Sequence, residues 1–148
     1  MKILGISASL RNRRFAYKNE LIEQVKSIQN LDGIKSFVEE QVKITFDEIE
    51  NLNKDLSFEE KYKQLKKHKG NRGLSNSEAS LVYALWQSHR NDVDIDYLSL
   101  SNIFENENKN KLNFFKKKFL SSDAILVSGP VYFGDRGSLT QRMIEFIN

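Results

Sequence analysis

Apolar positions change their period along the chain, and each change marks an element. Ile3, Leu4 and Ile6 form a short apolar run within Lys2-Ile3-Leu4-Gly5-Ile6-Ser7. A buried parallel strand reads in this way. Over residues 17–28, Leu21, Val25 and Ile28 fall on one helical face. A second helix is expected to carry Ile34, Phe37, Val38 and Val42, with Asp32 as its cap. Ser57-Phe58-Glu59-Glu60 has the spacing of a capping box, whose serine and glutamate satisfy each other's backbone amides. The helix it opens would run through Tyr62 and Leu65 to Lys69, with Gly70 as its stop. Ser75-Asn76-Ser77-Glu78 repeats the box and opens a helix carrying Leu81, Val82, Leu85 and Trp86 to about Arg90.

Residues 92–100 alternate acidic and apolar and then turn apolar, the period-two signal of a strand. Residues 102–111 are polar and rich in asparagine, and read as a loop. Leu112, Phe115, Phe119 and Leu120 return to helical spacing, ending at Ser121-Ser122-Asp123. Ala124-Ile125-Leu126-Val127-Ser128 is a third apolar strand, and residues 138–147 form an amphipathic helix. Strands alternating with helices give an α/β fold with a parallel sheet and right-handed crossovers.

Two loops follow strands in this scheme. Ser7-Ala8-Ser9-Leu10-Arg11-Asn12-Arg13-Arg14 joins small hydroxyl residues to arginines, a composition suited to an anion. It has neither the glycine spacing of a dinucleotide fingerprint nor the Gly-Lys-Ser/Thr of a P-loop. In Gly129-Pro130-Val131-Tyr132-Phe133-Gly134-Asp135, Pro130 takes the chain out of the sheet. The bulky side chains that follow suit either a wall for a flat ligand or a loop packed on its own core.

Composition narrows the classes. The chain of 148 residues has room for one domain. Charged residues are 29% and the mean hydropathy is −0.54, and no apolar run approaches the ~20 residues of a membrane span. No signal peptide opens the chain, so a cytoplasmic location without membrane contact is expected. There is no cysteine, which removes disulfides and thiolate chemistry. The net charge of +3 is mild, and the basic residues do not share one face, so no nucleic-acid partner is expected. The run Lys66-Lys67-His68-Lys69 reads as the cationic last turn of a helix. His68 and His89 are isolated, so no metal ligand is nominated.

Three pieces together resemble a known family. Gly5-Ile6-Ser7-Ala8-Ser9-Leu10-Arg11, Leu74-Ser75-Asn76-Ser77-Glu78-Ala79 and Ser128-Gly129-Pro130-Val131-Tyr132-Phe133-Gly134-Asp135 are similar to motifs of the flavodoxin-like NAD(P)H-dependent FMN reductases. The resemblance covers residues 1–14 and about 74–148. It implies a flavodoxin-like three-layer parallel sheet, with FMN as cofactor and NAD(P)H as electron donor. It implies that Ser7, Ser9, Arg11, Ser75, Asn76 and Ser77 hold the FMN phosphate. It also implies that Pro130, Val131, Tyr132, Phe133 and Gly134 line the isoalloxazine ring. The chemistry would belong to the flavin, so no side chain is nominated as catalytic.

The sequence departs from the family in two places. About 60 residues separate Arg11 from Ser75, so residues 13–72 read as a helical insertion within the phosphate loop. The other reading makes 17–28 the first crossover helix and parts the two halves of the motif. The family's fourth and fifth strands have no counterpart, so the fold is expected to stop after the third strand and its helix. Three resolutions stand side by side: the chain is the N-terminal part of a longer protein, or the open third-strand edge pairs with another chain, as in a dimer, or the helical insertion covers what is missing. A non-catalytic flavodoxin-like module, binding a phosphate-bearing ligand or a partner protein, is the alternative to the oxidoreductase.

Overall fold

The computed structural model describes residues 1–9, 20–51, 55–57, 59–60, 73–104, 108–132 and 135–148, with backbone alone at 45, 46, 48–51, 131, 132, 135 and 136. Three strands, β1 (Lys2–Ser7), β2 (Asp94–Ser99) and β3 (Ala124–Ser128), form a parallel sheet in the order β2-β1-β3. Leu4 pairs with Asp96 on one side of β1 and with Ile125 on the other. Six helices are described: α1 (Glu20–Ser27), α2 (Leu31–Asn51), α3 (Asn76–Arg90), α4 (Leu100–Phe104), α5 (Lys109–Leu120) and α6 (Ser138–Ile147).

Successive side chains of a strand point to opposite faces, and the core divides accordingly. On one face Leu21, Ile22 and Val25 of α1, Ile34 and Val38 of α2, and Leu81, Val82, Leu85 and Trp86 of α3 pack with Ile95 and Tyr97. On the other, Leu4, Ile6 and Leu98 meet Ile103 and Phe104 of α4, Phe115 of α5, and Leu139 and Met143 of α6. The sheet is therefore covered on both faces, which is why its central strand reads as a continuous apolar run.

The segment expected as an insertion builds much of the first face. Trp86 Nε1 donates to the Ile28 carbonyl at 2.9 Å, and the Leu74 amide to that of Gln41 at 3.1 Å. These bonds bring the chain back from α2 to the start of α3.

Several boundaries differ from the sequence reading. Asn30, not Asp32, caps α2: its Oδ1 accepts from the Gly33 amide at 2.8 Å. Asn and Asp cap equally well, so position decides, and Asp32 lies inside the first turn. The α2 helix also continues well past Val42, to Asn51. The strand read over 92–100 narrows to Asp94–Ser99, because Asp92 turns the chain at φ 59° and Leu100 begins α4. The loop read over 102–111 is helical at both ends. There α4 runs to Phe104, and Asn108 caps α5 with Oδ1 2.9 Å from the Lys111 amide. Asparagine-rich sequence suits caps as well as loops. The Ser57–Glu60 box forms as read, with the Ser57 amide 3.0 Å from Glu60 Oε2. The helix expected beyond it, with Gly70 and the 66–69 cluster, lies outside the described residues.

Gly5 sits where the central strand meets α3. A Cβ there would lie 2.6 Å from Leu85 Cδ1, and Leu85 is fully buried. Gly5→Ala is expected to cost about 1–3 kcal/mol, the usual penalty for overpacking, measured by urea unfolding.

Candidate functional site

The carboxyl ends of the strands gather the polar residues of the core. Ser7 closes β1, and its Oγ donates to Glu78 Oε1 at 3.1 Å. Tyr97 reaches the same oxygen from β2, its hydroxyl donating at 2.7 Å. Glu78 Oε2 accepts from the Ser75 amide at 3.0 Å and the Ser75 hydroxyl at 2.8 Å. The Glu78 amide returns a bond to Ser75 Oγ at 3.4 Å, completing the capping box. Glu78 is fully buried and Tyr97 nearly so. One carboxylate thus joins the ends of β1 and β2 to the first turn of α3, and the halves of the split motif meet there.

Glu78 tolerates burial because donors surround both of its oxygens. Burial, and then the charge of Glu78, push the Tyr97 phenol well above its ordinary value of 10.0. The folded chain then keeps its proton at a pH where the unfolded chain loses it. Stability from this group falls as pH rises above about 10. The Tyr97→Phe variant should show a shallower alkaline loss of urea midpoint than the wild type between about pH 9 and 11. Parallel slopes would place Tyr97 in contact with water.

The end of β3 joins the same assembly. Ser128 Oγ donates to the Ser77 carbonyl at 2.7 Å, and the Ala8 amide donates to the Ser128 carbonyl at 2.8 Å. A Cβ on Gly129 would lie 2.7 Å from Ala8 Cβ, so the loops after β1 and β3 touch only because residue 129 is glycine. Beyond Pro130 the chain folds into an antiparallel ribbon of β4 (Val131–Tyr132) and β5 (Asp135–Arg136). The segment read as an irregular loop is therefore a hairpin at the end of β3. A short ribbon pairs backbone groups that a loop would leave to water.

The residues nominated from the sequence fall as follows. Ser7 and Ser9 are buried in the floor where β1 ends. Ser75 is the N-cap of α3, Asn76 and Ser77 are its first two residues, and Asn76 is exposed. Pro130 stands half-buried after β3, and Val131 and Tyr132 are placed by their backbone in β4. Arg11, Phe133 and Gly134 lie outside the described residues. Within the first turn of α3 the capping box engages the Ser75 and Glu78 amides. The Asn76 and Ser77 amides have no acceptor among the described residues, and helix N-termini hold anions with such groups.

The sequence reading nominates neither Tyr97 nor Ser128 as a site residue and uses Glu78 as part of the capping box and of the motif that opens α3. A hydroxyl on an apolar strand face needs a buried partner, and that requirement was the available signal for Tyr97. Among the described residues no cluster of three His, Asp or Glu could hold a metal ion. No described helix is long and apolar enough to cross a membrane. Compared with known proteins, the chain matches no family model, no curated protein and no solved structure.

Proposed function

We propose that the chain binds FMN at the carboxyl ends of β1 and β3 in a flavodoxin-like arrangement, as an NAD(P)H-dependent oxidoreductase or the flavin-binding portion of one. The observation that carries this reading is the meeting of Ser7 and Ser75, 68 residues apart, on the buried Glu78 carboxylate. The order β2-β1-β3 supports it, because ligands of doubly wound sheets sit where strand order reverses, here between β1 and β3. The Asn76 and Ser77 amides suit a phosphate, since a helix N-terminus favours negative charge. In this reading Ser9 and Arg11 belong to the phosphate loop. Pro130, Val131, Tyr132, Phe133 and Gly134 form the wall beside the ring. Bound FMN would accept a hydride from NAD(P)H and pass electrons to an acceptor. The residues of the chain hold and orient it.

The test is a titration with FMN and, as a control lacking the phosphate, riboflavin. Saturable FMN binding at micromolar or tighter affinity, with riboflavin weaker, is the expected result. Failure to saturate with FMN overturns the reading. Ser77→Asp puts a negative charge beside the phosphate while keeping an acid in the first turn, where helices accept one. It should weaken FMN at least about tenfold, or ~1.4 kcal/mol, and leave riboflavin unchanged. Equal FMN affinity in variant and wild type would remove the phosphate from this turn.

The outer edge of β3 favours a second reading, a non-catalytic module that binds through that edge. Val127 is 43% exposed, and no strand pairs with that side among the described residues. Such an edge is a template for another strand. A chain that binds no flavin and elutes as a dimer would support the module.

A further inference from the structure

We infer that the outer faces of α5 and α2 are complementary in charge, and that the partner of the α5 face is the α2 face of a second copy of this chain. The inference is independent of the flavin reading. The α5 helix carries five lysines and no acid. Two of the lysines are engaged within the fold: Lys118 pairs with the buried Asp96, and Lys111 Nζ donates to the Asn102 carbonyl at 2.9 Å. Lys109, Lys116 and Lys117 are exposed and have no ion pair among the described residues.

The α2 helix presents the converse. Asp32, Glu39 and Glu40 are exposed on it and likewise have no ion pair among the described residues. Its Lys43 is held by Asp47 at 2.5 Å, so among its described side chains Lys35 is the one cation set against these three acids. Both sets follow the same spacing, i, i+7 and i+8. Seven residues are close to two helical turns, about 10 Å along the axis. Laid side by side in the same direction, the two helices therefore bring each lysine to one acid.

One copy cannot join its own two faces. The α2 helix packs into the cluster on one side of the sheet, through Ile34 and Val38, and α5 into the cluster on the other, through Phe115. The same separation keeps two copies from closing on each other through two such contacts, so the contact is head-to-tail and repeats from copy to copy. Exposed ion pairs contribute little singly. The contact is therefore weak, with a Kd on the order of 0.1–1 mM, and salt screens it.

Sedimentation velocity of the whole chain from ~10 µM to ~1 mM tests this. At about 20 mM salt the mass should climb with concentration without stopping at two copies, and at about 500 mM salt the association should weaken at least tenfold. Lys116→Glu with Lys117→Glu should abolish the climb, although it moves the net charge by four, from +3 to −1, and so lowers general repulsion. Glu39→Lys with Glu40→Lys should abolish it too. The chain with all four substitutions returns to +3 with the charges exchanged, and should associate as the wild type does. All four positions are exposed, so urea midpoints should stay near the wild-type value. Four results overturn the inference. One is a monomer throughout at low salt. Another is a species that stops at two copies and survives high salt, which assigns association to an edge such as that of β3. A third is loss in the lysine variant alone, which gives α5 an acidic partner of another kind, such as a nucleic acid. The last is failure of the fourfold variant to recover.

Discussion

Glu78→Ala is expected to destabilise the chain by roughly 3–5 kcal/mol, because it strands several buried hydrogen-bond donors at about 1–3 kcal/mol each. The carboxylate is fully buried and serves the Ser7 and Tyr97 hydroxyls together with the Ser75 amide and hydroxyl. Its removal strands these donors, and each buried donor left without an acceptor costs about 1–3 kcal/mol. The strands and the helix also lose a shared anchor. With a urea m-value of about 2 kcal/mol/M, the midpoint should fall by roughly 2 M. The second capping box supplies the control. Glu60 makes the same bonds to Ser57, which hold its carboxyl below the usual range, but it is fully exposed. Water replaces those bonds when Glu60 is removed, so Glu60→Ala should shift the midpoint far less. Equal shifts for the two variants would show that the box itself, and not burial of Glu78, carries the effect.

That contrast marks what was legible in the sequence. Both boxes share the Ser-x-x-Glu spacing, and both form. Spacing reports the local bonds, which are set within one helical turn. It is silent on whether the glutamate faces water or the ends of two strands, because that depends on residues far along the chain. The three strands were legible for a similar local reason: each is a short apolar run bounded by turn residues. Tyr97 reads as strand and nothing more, because its partner is 19 residues earlier and on another element. Asp96 is a second case. It enters the sequence reading only as one of the acids whose alternation marks β2, and the structure buries it against Lys2 and Lys118. The lysines come from β1 and α5, so the pairing exists only once the sheet and the helix on its face are assembled. The 102–111 loop failed differently. Leu100 and Ile103 are buried in a helix of five residues, too short for periodicity to reveal.

Phe115→Ala should produce the other large loss, about 3–5 kcal/mol, on the opposite face of the sheet. Phe115 is fully buried, with ring centroids 6.0 Å from Phe104, 5.7 Å from Phe119 and 5.7 Å from Phe146. It therefore links α4, α5 and α6 through one aromatic cluster, and truncation leaves a cavity that three helices must close. Its neighbour Phe114 is 36% exposed, so Phe114→Ala should cost much less. Phe115 shares no partner with Glu78, and the sheet stands between their two clusters. Sites without shared partners add to within about 0.5 kcal/mol. A cycle with the milder pair Phe115→Leu and Tyr97→Phe, followed by urea unfolding, checks this without exhausting the stability of the chain. Additive losses mean that each layer packs on the sheet independently, so the aromatic face can be repacked without disturbing the Glu78 network. A coupling above about 1 kcal/mol would instead mean that β1 and β2 transmit strain between the faces. Substitutions in the aromatic cluster would then be expected to alter the candidate site as well.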